Sequence, residues 1–288
     1  MQLKEEREMR IGYASWGMPT VPVDVMLAHL AGLGFAGVEL TVVPGYTTEL
    51  SRLDGAERRR IRALLDRHGL ALPSLAAHRD LVVDDPEQWA ANLAYLRATI
   101  DLAVEWAGPE GPPVINNMAG GKQGEFESRR SQLIERLGEV VPYAAERGVV
   151  IALEPHVFTV LESPETSRNV IEAVDSPHLR IQFDISHFDV LGYSIEETVP
   201  ILAPLAVHTH VKDQRGLAPD HEFLIPGDGT FDYVRYLHAM RSAGYDGFIT
   251  GEVSVMVQRK PGYDPLLAAE KTYATLARAF DTAGIAHV

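Results

Sequence analysis

Two hydrophobic periods alternate along the chain. Short runs rich in β-branched and aromatic residues carry the period of a strand. Longer stretches between them place apolar residues three and four apart, the spacing of one helix face. The short runs are RIGYASW (10–16), GVELT (37–41), ALPSLAAH (71–78), PVINNMA (113–119), VVIALEPH (149–156), LRIQFDIS (179–186), LAVHTHVKD (205–213) and GFITGEVS (247–254). Helical patterns occupy 23–33, 55–68, 86–106, 126–147, 164–175, 194–203, 231–243 and 263–283. The punctuation agrees. LGFAGVEL, HGLALPSL, RGVVIALE and AGYDGFIT each set Gly after a helical run and before a strand, where a left-handed residue stops a helix. SPETSRNV and DDPEQWA put Ser or Asp before Pro and Glu, the chemistry of a helix start.

Strand, helix and strand in repetition mean a parallel sheet. Eight such units predict a closed (β/α)8 TIM barrel, one domain over residues 1–288. No long Ser/Gly/Pro linker divides the chain. A doubly wound open sheet is the alternative. It would want a glycine-rich phosphate turn after the first strand, and YASWGMPT is not GxGxxG, so no nucleotide cofactor is expected.

The seventh run breaks the pattern of a core strand. In AVHTHVKD (206–213), Val207, Thr209 and Val211 face one way, and His208, His210 and Lys212 face the other. Three polar groups on one side line either water or a site. In a barrel, chemistry sits at the C-terminal ends of the strands. Those ends carry Trp16, Glu39, His78, Asn116 and Asn117, Glu154 and His156, Asp184 and His187, His208 with His210 and Lys212, and Glu252. Taken singly, each has an ordinary reading. Glu154 could be a strand-end ion-pair partner, Asp184 a helix cap, His210 a hydrogen-bonded core imidazole, and Glu252 a surface group. Taken together, the fifth to eighth strands place Glu, Asp, His and Glu near one end. Buried carboxylates need partners, because a lone buried charge is very costly. A divalent cation satisfies several at once, and an oxygen-rich set with one imidazole suits manganese, magnesium or cobalt, with zinc as a further candidate.

Composition narrows the picture. The chain has 46% hydrophobic and 23% charged residues, enough apolar side chains for a sizeable core. With no cysteine, disulfides and thiolate metal sites are excluded. Its 26 basic against 40 acidic residues, net −14, argue against a nucleic-acid partner, which needs a basic surface. No run reaches the roughly 18 apolar residues of a membrane span. MQLKEEREMR lacks the apolar centre of a signal peptide, and a cytoplasmic location is expected.

IALEPH, IQFDISHF, HTHVKD, IPGDGTFDY and GFITGEVS, in that order, resemble the xylose isomerase-like barrel superfamily of sugar isomerases and epimerases. The resemblance covers essentially the whole chain. It implies a metal, manganese first, held by Glu154, Asp184, His210 and Glu252. It implies that Glu154 and Glu252 also act as an acid/base pair on opposite sides of a sugar carbon. His187 and Arg215 would contact substrate oxygens. Trp16, His78, Asn116 and His208 are further candidates for the substrate wall, and His156 and Lys212 for additional catalytic roles. The implied substrate is a small carbohydrate, isomerised or epimerised by loss of a proton next to a carbonyl through an enediolate. A lyase of the inosose dehydratase or C-glycoside deglycosidase kind, working on a 3-oxo-sugar or an inosose, is the alternative.

Departures matter. The fourth strand ends in NNMAGG without histidine, so a three-zinc endonuclease site is incomplete. EPHVFTVLE puts His156 where 3-epimerases carry a second acidic residue. AGGKQGE (119–125) reads as a flexible rim loop, with a phosphate cradle as its alternative. Trp16, Tyr13 and Phe188 could wall a sugar ring. Apolar residues in EVSVMVQRKPGYDP suggest a subunit contact and hence a homo-oligomer, or a hetero-oligomer for a deglycosidase subunit.

Overall fold

A computed structural model describes residues 8–287. Most of the N-terminal stretch read above for a leader lies outside them. Strands β1 (Arg10–Ala14), β2 (Gly37–Thr41), β3 (Ser74–Ala76), β4 (Val114–Met118), β5 (Ile151–Glu154), β6 (Leu179–Asp184), β7 (Ala206–Val211) and β10 (Phe248–Gly251) close into one barrel. Every neighbouring pair is parallel. Two short strands, β8 (Asp213–Arg215) and β9 (Glu222–Leu224), form an antiparallel hairpin beyond the seventh barrel strand.

Eight helices follow the sequence pattern closely, and two short ones, over 185–189 and 255–258, were not expected. They are α1 (Val23–Leu33), α2 (Gly55–His68), α3 (Pro86–Glu105), α4 (Phe126–Ala145), α5 (Pro164–Val174), α6 (Ile185–Asp189), α7 (Ile195–Leu202), α8 (Tyr233–Ser242), α9 (Val255–Gln258) and α10 (Pro265–Ala283). Their ends are built from local chemistry. Ser163 and Thr166 form a capping box at the start of α5, with Pro164 at its first position. Asp264 accepts from the Leu266 and Leu267 amides at the start of α10, and left-handed Gly284 ends it. Buried Leu27, Ile61, Ile100, Leu137, Val170 and Leu276 pack the helices against the strands. No helix among the described residues is long and apolar enough to cross a membrane.

The barrel interior departs from the branched apolar filling usual in this architecture. Glu39, Ser74, Asn116, Gln182, His208 and Thr250 are all buried there. Ser74 Oγ donates to Glu39 Oε2 at 2.6 Å, and Asn116 Nδ2 donates to the same oxygen at 3.3 Å. Phase is set by an irregularity between β6 and β7. Ile181 pairs with Ala206, but Gln182 pairs with His208 and Asp184 with His210, so Val207 has no partner across the ladder. Side chains alternate along a strand, so this one-residue slip brings Gln182 and Asp184 onto the face of His208 and His210.

Apart from GVELT (37–41), which matches β2 residue for residue, the expected strands are shortened at their C-terminal ends. Ser15–Gly17 is a 3-10 turn, and Ile185 begins α6 directly after β6. AGGKQGE is held by packing. A side chain at Gly120 would collide with Asp80, and one at Gly121 with Val160, so these left-handed glycines fit between two neighbouring loops.

Candidate metal centre and cavity

At the C-terminal mouth of the barrel, the strand ends deliver carboxylates and imidazoles to one point. Asp184, His210 and Glu252 offer donor atoms within 4.8 Å of one another. Glu154 Oε1 lies 3.5 Å from His210 Nδ1, and Glu252 Oε2 lies 3.3 Å from the same nitrogen. Glu154 also shares a group of that size with Asp184 and His187. All five side chains are buried.

Asp184 does two jobs. Its Oδ1 caps α6, accepting from the Ser186 amide at 2.9 Å and hydroxyl at 2.6 Å. Its Oδ2 is left for the site, in contact with Lys212 Nζ and 3.3 Å from His187 Nε2. The helix-cap reading holds through Oδ1, and it leaves Oδ2 facing the other candidates. Lys212 Nζ also touches Glu252 Oε2, so one ammonium bridges two carboxylates.

Electrostatics follow from that crowding. Burial alone would raise the Glu252 carboxyl, but Lys212 and His210 bring it down to about 2. Burial opposes ionisation of Glu154 too, and His210 and His78 hold it well below the usual carboxylate range. Burial raises the Asp184 carboxyl against the pull of Lys212, and the Glu252 and Glu154 charges add to the rise. Burial disfavours the His210 cation, yet Glu39 and Glu252 lift it well above an ordinary imidazole. Four buried carboxylates (Glu39, Glu154, Asp184, Glu252) thus face Lys212, His210 and His78 as the available cations.

These residues fit a divalent cation. Glu154 Oε2, Glu252 Oε2 and His210 Nδ1 are buried without an aligned hydrogen bond. The donor set is rich in oxygen with one imidazole, and it carries surplus negative charge. The other nitrogen of His210 is already fixed, since Nε2 lies 3.0 Å from Glu39 Oε1. A carboxylate behind a ligating imidazole orients the ring and makes it more basic. Glu39 was visible in the sequence as a strand end but was not assigned to the site. Its partner lies 171 residues away, and no local pattern announces it.

Above the centre opens a cavity of about 640 Å³. Of the residues expected in the site, Trp16, His78, Glu154, His156, His187, Lys212 and Glu252 line it. Asp184 and His210 lie beneath, in contact with Lys212 and Glu252. His78 Nε2 lies 3.3 Å from Glu154 Oε2, and the Trp16 ring packs 4.8 Å from His78. His156 Nδ1 donates to the Val157 carbonyl at 2.7 Å, and its ring lies 3.7 Å from His187. Burial lowers both of these imidazoles.

Three candidates lie elsewhere. His208 sits deeper, 3.7 Å from Glu39 Oε2, and burial depresses it to about 4. Asn116 is wholly buried, and its Nδ2 donates to Glu39. Arg215 is exposed on the β8–β9 hairpin, which carries it out to Glu222 at 3.9 Å rather than into the cavity. Tyr13 and Phe188 are core residues outside the lining. Sequence reasoning did not single out Arg79, Phe158, Phe223 or Met256 as lining residues. Their loops carry no motif.

Comparison with known proteins gives the context. An inosose dehydratase of Geobacillus kaustophilus is 24% identical, over 96% of this chain and 95% of that protein. An uncharacterized protein of Methanocaldococcus jannaschii is 33% identical over 40% of this chain, and the match spans only 41% of that relative's length. Among solved structures, a D-psicose 3-epimerase crystallised in the presence of D-fructose superposes with TM-score 0.76 at 16% identity, over 96% of this chain and all of that one. The IolI protein with a bound zinc atom gives 0.77 at 16%, over 96% and 98%. A Mycobacterium smegmatis xylose isomerase-like protein in complex with magnesium gives 0.71 at 20%, over 98% and 99%. At these identities the structures speak for the fold alone. The xylose isomerase-like TIM barrel profile matches residues 27–279. Nearly the whole barrel is covered by that match, and the chain belongs to the xylose isomerase-like TIM barrel family.

Proposed function

We propose that this protein is a divalent-metal-dependent isomerase or epimerase of a sugar or sugar-like polyol. The observation that carries the reading is the convergence of Asp184, His210 and Glu252 within 4.8 Å, with Glu154 3.5 Å from His210. Glu154, Asp184, His210 and Glu252 would hold the cation, manganese first, with magnesium, cobalt and zinc as alternatives. The zinc and magnesium of the structural relatives support a divalent ion in this fold. When bound, such an ion supplies an electrophile that acidifies a C–H next to a carbonyl.

The protein's own groups perform the proton transfers. Glu154 and Glu252 approach His210 Nδ1 at 3.5 and 3.3 Å, so a sugar seated over His210 would have both carboxylates beside it. One removes the carbon-bound proton, and the other returns it. Lys212 stands between Asp184 and Glu252 and offers its ammonium to the oxygen on which charge develops. The buried, neutral imidazoles of His156 and His187 hydrogen-bond substrate hydroxyls. The full-length likeness to an inosose dehydratase favours a second reading, in which the same proton removal is followed by expulsion of a leaving group.

The test is metal content and exchange. Purified protein should take up a divalent ion and, with manganese, incorporate solvent deuterium into a keto-sugar. Release of water or an aglycone would move the reading to the lyase. Metal-free protein that gains nothing from manganese would overturn both.

Glu39 has its own expected effect. Glu39→Gln weakens the acceptor behind His210 while keeping volume, and should lower manganese affinity by about 10- to 100-fold. Calorimetric titration checks this, and unchanged affinity would reduce Glu39 to a core group.

A further inference from the structure

The cavity has two unlike walls. One is polar and includes Arg79, Asp80 and Asn92. The other is apolar and belongs to the loop after β5, the β8–β9 hairpin and α9. Seven large apolar side chains are exposed among the described residues, and three of them line this one cavity: Phe158 at 42%, Met256 at 39% and Val255 at 36%.

The apolar wall is continuous with the reacting centre. His187 packs edge-on against Phe223 at 5.2 Å, Phe223 against His221 at 4.8 Å, and His221 against Phe158 at 5.7 Å. This ladder of rings climbs from a neighbour of Asp184 to the rim. Its top ring is held at a cost in conformation. Phe158 has φ +69°, a left-handed backbone that a bulky L residue rarely adopts. Strain of that kind persists where the surroundings enforce it, and it gathers at ligand clamps. Here the strained backbone presents an aromatic ring to solvent instead of burying it.

Size points the same way. A cavity of 640 Å³ falls in the range that encloses a drug-sized ligand, about 300–1,000 Å³. A free hexose is much smaller, and it has no use for exposed Phe, Met and Val at the rim. Resting on the sugar reading above, we infer that the substrate is a carbonyl-bearing sugar joined to an aromatic substituent, which lies along the Phe158–Phe223–Met256 wall while the sugar ring sits over His210.

The experiment compares binding of phenyl β-D-glucoside, methyl β-D-glucoside and cellobiose to the manganese-loaded full chain by calorimetry. The phenyl compound should bind at least tenfold tighter than the other two. Phe158→Gly and Met256→Gln should each erase about fivefold or more of that preference and leave the methyl compound unchanged. Glycine takes the left-handed backbone freely, so Phe158→Gly should also raise the thermal midpoint by about 2 °C. A merely structural Phe158 would not combine higher stability with lost phenyl affinity. Equal affinities, tighter cellobiose binding, or no binding of any of the three would overturn the inference. Metal uptake is measured on the same samples and does not involve Phe158 or Met256. Failure of the metal reading therefore shows as absent manganese, separately from any loss of phenyl preference.

Discussion

Glu154→Gln should lower the rate of deuterium exchange or turnover by about a thousandfold, within the 10²–10⁴ range of a positioned acid or base. Gln fills the same volume, so the strand end and the His78 contact need little rearrangement. What disappears is the charge. In the wild type, His210 and His78 overcome burial and keep this carboxylate ionised. It is therefore ready to accept a proton throughout the neutral range. The amide cannot accept one, although its oxygen still faces the centre. The expected signature is a collapse of kcat with KM changed only a few-fold. A variant that retained a tenth or more of wild-type exchange would remove Glu154 from the proton transfer.

Lys212→Met should destabilise the metal-free protein by about 3–5 kcal/mol, the usual result of removing one partner from a buried ion pair. The ammonium bridges Asp184 and Glu252, which are nearly or wholly inaccessible to water. Methionine keeps an unbranched apolar stem, ends at Cε, and leaves two carboxylates without their ammonium. The midpoint of thermal unfolding should fall by about 10 °C, taking about 2–4 °C per kcal/mol for a domain of this size. Millimolar manganese should restore most of that loss, because a divalent ion supplies the missing positive charge. An equal loss with and without manganese would mean that Lys212 stabilises the fold without reference to any cation.

The legible part of this molecule is what alternation and position encode. Two helices, Val23–Leu33 and Gly55–His68, match the sequence pattern residue for residue, because caps and glycine stops are local chemistry. Asp184, His210 and Glu252 were readable because barrel topology carries strand ends to a common mouth. Two things were not readable. The Glu39–His210 pair depends on which strands face each other across the lumen, and neither residue has a neighbour in sequence that reports it. The β8–β9 hairpin has only three residues in each strand, too few for an alternation to register. Arg215 was given a contact with substrate oxygens on the family resemblance alone, and the hairpin turns it to solvent.

Val207 carries a consequence for how this barrel can change. It is the residue left over where β6 and β7 slip past each other. Above it, His208, Thr209 and His210 are in register with Gln182, Phe183 and Asp184. Below it the ladder resumes in the opposite parity, at the Ile181–Ala206 pair. A length change in the connection ahead of Ala206 can be taken up at this unpaired residue, so the imidazoles above it keep their heading.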